Sequence, residues 1–278
     1  MRLVSYRSAQ GVGFAVKQGE VLRDLGNIDL MAILAAGAVP ELSHRLGAAL
    51  DPNLLTYRPA LERPGKILCI GLNYIDHAAE SPYAKVPDYP AVFPRVNTSL
   101  IGHGEPMIRP TASEQLDYEG EMAVVIGRGG RHISRERALD HVGFYGIFND
   151  GSIRDYQFKS TQWTMGKNFD GTGAFGPELV TPDELPPGAD GLRLETRLNG
   201  EVVQAANTSD MVFKVADLIY YLSECMTLEP GDLIVTGTPA GVGFARKPPL
   251  WMKGGDVCEV ALEGFQTLRN PIQNEKKA

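Results

Sequence analysis

The chain has 278 residues, 43% hydrophobic and 22% charged, enough to bury a sizeable core in one large domain or in a main domain with a small appendage. Its 27 Lys and Arg against 34 Asp and Glu give a net charge of −7, and no basic run forms a patch, so nucleic acid is excluded as the expected partner. Residues 1–10 carry Arg2 and Arg7 without an apolar signal core, and no run of about 18 apolar residues follows, so a cytoplasmic protein without a membrane span is expected.

Residues 3–6 and 13–16 read as short strands around a glycine turn, followed by helical stretches over 29–36 and 42–50. Arg63-Pro64-Gly65 punctuates the exit, which divides the chain into a small N-terminal α/β module (1–62) and a main domain (63–278). The main domain is dense in β-like runs, at 66–70, 121–126, 143–149, 192–198, 233–236 and 256–262. Asn199-Gly200 between alternating runs signals a hairpin, because a type I′ turn needs positive φ at both central residues. Helices are expected over 134–140, 153–159 and 212–226, and the tail 273–278 reads as frayed. With 31 glycines and 19 prolines the pattern is a β-rich α+β fold. The three cysteines form no pair. Cys69 and Cys258 lie in apolar runs as buried thiols, and a reducing compartment fits them.

The strongest chemical signal is Asp117-Tyr118-Glu119-Gly120-Glu121 at the start of an apolar strand. Strand side chains alternate, so Glu119 and Glu121 share a face with Ala123 and Val125. Two like charges at the edge of a core repel, and a cation between them resolves the conflict. A solvated strand face is the alternative. Asp150, ending the apolar run 142–148, offers a third oxygen ligand or, alternatively, a helix N-cap. Three carboxylates without Cys or clustered His favour a hard ion, Mg²⁺ or Mn²⁺.

Three further segments carry candidates. His77 and Glu80 are three apart and share a helical face, as a base and its orienting carboxylate do, though such pairs also occur on plain surface helices. Lys167 sits among apolar residues and glycines, placed either to meet a developing oxyanion or to snorkel to solvent. The loop 237–243, Gly-Thr-Pro-Ala-Gly-Val-Gly, lacks the lysine of a P-loop, but its amides and Thr238 could cradle a carboxylate; a plain turn is the alternative. Residues 171–176 formally match GxGxxG. They follow no clear strand, and Pro177 stands where the helix should begin, so a dinucleotide site is rejected.

Taken in order, Asn73-Tyr74…His77-Ala78-x-Glu80, Asp117-Tyr118-Glu119-Gly120-Glu121, Asn149-Asp150…Arg154-Asp155, Trp163-Thr164-x-Gly166-Lys167 and the 237–243 loop resemble the fumarylacetoacetate hydrolase family over residues 66–272. The resemblance implies a mixed β-roll, usually dimeric, with Glu119, Glu121 and Asp150 as metal ligands. It implies His77 and Glu80 as a water-activating pair and Lys167 as a substrate contact, with Arg154, Gln157 and Thr238 at substrate-side positions. One departure stands out. Where relatives often carry a Lys after the His–Glu pair, this chain has Arg95, whose planar fork differs from an ammonium and points to altered substrate recognition. The expected activity is hydrolytic carbon–carbon cleavage of an acylpyruvate- or fumarylpyruvate-type acid. The alternatives are oxaloacetate-type decarboxylation, or isomerisation or hydration of an unsaturated 2-keto acid in aromatic catabolism. A catalytically silent metal-binding scaffold is the reading from another class.

Overall fold

The computed structural model describes residues 1–80 and 87–276, without the side chains of residues 77–79. Its frame is a twelve-stranded mixed sheet. From one edge run Ala49–Leu50, Val21–Gly26, Gly11–Gln18, Arg2–Ser8, Gly173–Val180, Val142–Asp150, Gly120–Ile126, Leu233–Val235, Ile67–Gly71 and Ala91–Arg95. Thr56–Tyr57 and Leu100–Ile101 pair at its side. A second sheet of five strands runs Glu201–Asn207, Arg193–Leu198, Val257–Leu262, Leu268–Asn274 and Met107–Arg109.

The central strand Gly120–Ile126 is buried on both faces, so it reads as a continuous apolar run rather than an alternation. Met122, Val124 and Ile126 enter the core shared with Tyr145, Ile147 and the helix Val215–Cys225. Ala123 and Val125 enter the opposite core with Cys69, Phe93, Phe148, Phe175 and Val235. The expected parity therefore holds, and Glu119 and Glu121 cap the second of these two cores. Register does the rest. Gly120 pairs with Asn149 and Glu121 with Phe148, and the amide of Asp150 donates to the carbonyl of Glu119 at 2.9 Å. Two antiparallel strand ends thus bring three carboxylates together.

Most of the expected strands form within a residue or two, and Asn199 and Gly200 take φ of 54° and 84°, as the hairpin requires. Two expectations are corrected, and one strand goes unpredicted. The stretch expected as a helix over 42–50 instead holds a 3₁₀ turn, Val39–His44, and the edge strand Ala49–Leu50, because Leu50 pairs with Leu22. The tail is not frayed from residue 273: Gln273 and Asn274 continue a strand beside Met107–Arg109, and the carboxylate of Glu275 accepts the amide of Thr111. The glycine-rich stretch near Pro177 is itself a central strand, Gly173–Val180, with every residue buried. It joins Arg2–Ser8 to Val142–Asp150, so the segment 1–62 contributes outer strands to the same sheet as the rest.

Candidate metal centre and active site

Glu119, Glu121 and Asp150 each present an oxygen, and these oxygens lie within 4.8 Å of one another. All three side chains are buried. Asp150 does not cap a helix, since the short helix Arg154–Gln157 begins after Ile153. Unpaired, such a cluster would be prohibitive, and the surrounding donors show how it is held. Lys167 Nζ lies 2.7 Å from both Glu119 Oε2 and Asp150 Oδ2. Arg95 Nη1 meets Asp150 Oδ1 at 2.5 Å. Arg154 Nη2 stands 2.7 Å from Glu119 Oε1, as a charge contact rather than an aligned hydrogen bond. Glu121 takes the amide of Gly237 at 2.5 Å and has no ion pair among the described residues. Burial, then the carboxylates of Asp150 and Glu119, push its pKa well above the ordinary value. A buried carboxylate in that position, beside two others, fits a hard divalent cation.

The loop after Leu233–Val235 is the organiser that sequence reading half anticipated. Its amides do cradle carboxylates, but these belong to the protein itself. Gly237 donates to Glu121, Gly241 to both oxygens of Glu80 at 3.1 and 3.0 Å, and Gly243 to Asp117 at 2.8 Å. Gly237 holds φ at 102°, with Asn73 packed where a Cβ would lie, so the turn that presents its amide suits glycine. Thr238 donates its hydroxyl proton to Gly120 O at 3.0 Å and accepts from Gln204, which locks the loop to the triad strand.

Beside the triad opens a pocket lined by Glu80, Glu119, Arg154, Gln157, Lys167 and Thr238, with Leu72, Phe93, Trp163, Val242 and Phe244 as apolar walls. Arg154 Nη1 donates to Gln157 Oε1 at 2.9 Å, and the two come from one helical turn. Lys167 ends the turn Thr164–Lys167 and is buried rather than snorkelling. Glu80 ends the helix Ile75–Glu80 and faces the same pocket, whereas the expectation for His77 lies outside the described side chains.

Arg95 is placed elsewhere than the expected substrate wall. Its side chain is wholly shut from solvent behind Asp150, donating to Gly151 O, Ser99 Oγ and Thr172 Oγ1 as well. Asp117, to which the sequence alone assigns no role, proves to be a hub. It accepts from Arg154 Nε and from the amides of Tyr118, Gly243 and Phe244. Only its place in the Asp-Tyr-Glu-Gly-Glu run signalled it.

A buried carboxylate triad at two strand ends, held by a lysine and two arginines beside a small pocket with both polar and apolar walls, defines a site suited to a cation and a small molecule. The chain belongs to the fumarylacetoacetate hydrolase family, whose family model, the C-terminal region of fumarylacetoacetate (FAA) hydrolase, matches residues 66–273. It is 40% identical over 289 residues to the human mitochondrial oxaloacetate tautomerase FAHD2A, covering 98% of this chain and 91% of that protein. It is 44% identical over 215 residues to oxaloacetate tautomerase YisK of Bacillus subtilis, covering 76% and 71%. Among solved structures, fumarylacetoacetate hydrolase of Exiguobacterium antarcticum superposes with a TM-score of 0.87 at 34% identity, over 99% of this chain and all of that one. No helix among the described residues is long and apolar enough to cross a membrane.

Proposed function

We propose that the enzyme interconverts the keto and enol forms of a small 2-oxo dicarboxylic acid of the oxaloacetate type, with Mg²⁺ or Mn²⁺ held by Glu119, Glu121 and Asp150. One observation carries the reading: a carboxylate outside the triad, Glu80, lines the same pocket as Glu119 and Lys167. The names of the human and Bacillus relatives support it. When bound, the cation supplies Lewis acidity toward the 2-oxo group. Tautomerisation then requires only that a proton leave C3, its bonding pair moving into the C2–C3 bond, and that a proton join the C2 oxygen. Glu80, whose carboxylate accepts the Gly241 amide, would carry that proton. Lys167 and Arg154 line the pocket as fixed positive charge where oxygen becomes anionic. Phe93, Trp163 and Phe244 restrict water, which protects an enol from side reactions.

Hydrolysis of an acylpyruvate is the second reading. It is favoured by the His77–Glu80 segment and by likeness to the Exiguobacterium structure. The two separate in one experiment. With Mg²⁺ or Mn²⁺, the purified protein should speed the approach of oxaloacetate to keto–enol equilibrium, followed by enol absorbance, while leaving acylpyruvates intact. Acylpyruvate cleavage without any effect on oxaloacetate would overturn the first reading in favour of the second. A homodimer and a cytoplasmic location remain part of the proposal, to be decided by light scattering and cell fractionation.

A further inference from the structure

The three carboxylates of the triad share a division of labour. Asp150 commits Oδ1 to Arg95, Glu119 commits Oε1 to Arg154, and Glu121 commits Oε2 to the Gly237 amide. Each has one further oxygen, and those of Glu119 and Asp150 both accept from Lys167 Nζ at 2.7 Å. We infer that this partition makes the triad a one-oxygen-per-residue site and that Arg95 is the positioning residue which enforces it at Asp150, tuning the site toward Mg²⁺ and against Ca²⁺. The inference rests on the reading of the triad as the cation site.

Chemistry supplies the direction. Mg²⁺ takes six ligands at short distance in near-ideal octahedral geometry, usually one oxygen from each carboxylate, and completes its shell with water or substrate. Ca²⁺ takes six to eight oxygens at longer distance and gains from carboxylates that can rotate to offer both. Arg95 prevents that rotation at Asp150. Its guanidinium is fixed at Ser99 Oγ through Nε (3.2 Å) and at Thr172 Oγ1 through Nη2 (2.8 Å), and Nη1 donates both to Gly151 O (3.2 Å) and to Asp150 Oδ1. A lysine could keep the charge but not this four-point hold.

Isothermal titration of the metal-free protein with MgCl₂ and with CaCl₂ tests the inference without reference to turnover. Arg95→Lys should weaken Mg²⁺ roughly 10–100-fold, the usual consequence of losing a partner of a metal ligand, and Ca²⁺ far less, so that the affinity ratio moves toward Ca²⁺. Thr172→Val, which removes one anchor of the guanidinium and no charge, should move the ratio in the same direction by a smaller factor. A merely structural role would weaken both ions alike and leave the ratio fixed, and that result overturns the inference. If Arg95→Lys does not fold, as circular dichroism would show, Thr172→Val alone decides by the same ratio. Wild-type protein that binds neither ion would instead remove the cation site itself, an outcome distinguishable from an unmoved ratio.

Discussion

Nε of Arg154 lies 2.8 Å from Oδ2 of Asp117, and the pair is sealed from solvent. Because the same aspartate takes the amides of Gly243 and Phe244, it ties the arginine to the pocket loop in one step. Asp117→Asn keeps the shape and removes the charge, so Glu119 would be the one charged partner left to Arg154 among the described residues. We expect a loss of roughly 1.5–3 kcal/mol in stability, the range for hydrogen bonds to charged groups, together with a raised KM. Melting curves and steady-state kinetics check both, and an unchanged KM would place Arg154 outside substrate binding.

Glu121→Gln should abolish the stabilisation of the protein by divalent cations. Ligands that bind only the native state add about 2.7 kcal/mol at a hundred times their Kd, which a thermal shift registers readily. Retention of the full Mg²⁺-induced shift in this variant would contradict its place in the triad.

Cation binding should release a proton from Glu121. Burial and the neighbouring carboxylates of Asp150 and Glu119 hold its folded pKa above that of the unfolded chain. Between those two values the metal-free native state binds more protons than the unfolded state, so this group's contribution, fully present below the unfolded pKa, is lost as pH rises through the folded one. A cation must expel that proton to bind. Mg²⁺ affinity should therefore rise with pH, and the binding heat should vary with the ionisation enthalpy of the buffer. Identical heats in every buffer would contradict the linkage.

Glu80→Gln tests the proton carrier. The amide can accept the Gly241 N–H much as the carboxylate does, so the loop should stay in place while basicity is lost. Turnover should fall roughly 10²–10⁴-fold, the usual weight of general base catalysis, with Mg²⁺ affinity close to wild type. Full turnover in the variant would pass the proton transfer to another group.

The sequence made the triad readable because strand parity places Glu119 and Glu121 on one face and an apolar run ends at Asp150. What it hid was pairing over distance. Nothing local shows that Arg95 reaches Asp150 across 55 positions, and its charge alone pointed as readily to a substrate. The carboxylates served by the 237–243 amides were invisible for the same reason, since Glu80, Asp117 and Glu121 come from other elements. The strand Gly173–Val180 escaped notice because glycines and a proline mimic a loop, and only its neighbours on both sides supply its order.

The pairing of Arg2–Ser8 with Gly173–Val180 also dictates a timetable. Arg2 and its partner Glu178 are 176 positions apart, so at ordinary rates of synthesis roughly 10–35 s separate their emergence from the ribosome. Through that interval the hairpin of Arg2–Ser8 with Gly11–Gln18 waits with the start of its outer edge, residues 2–4, unmatched, an invitation to pair with a neighbouring nascent chain. Arg2 and Arg7 on the waiting strand are charges of the kind that discourage such encounters. Arg2, later the half-buried partner of the buried Glu178, thus serves first as a guard on the growing chain.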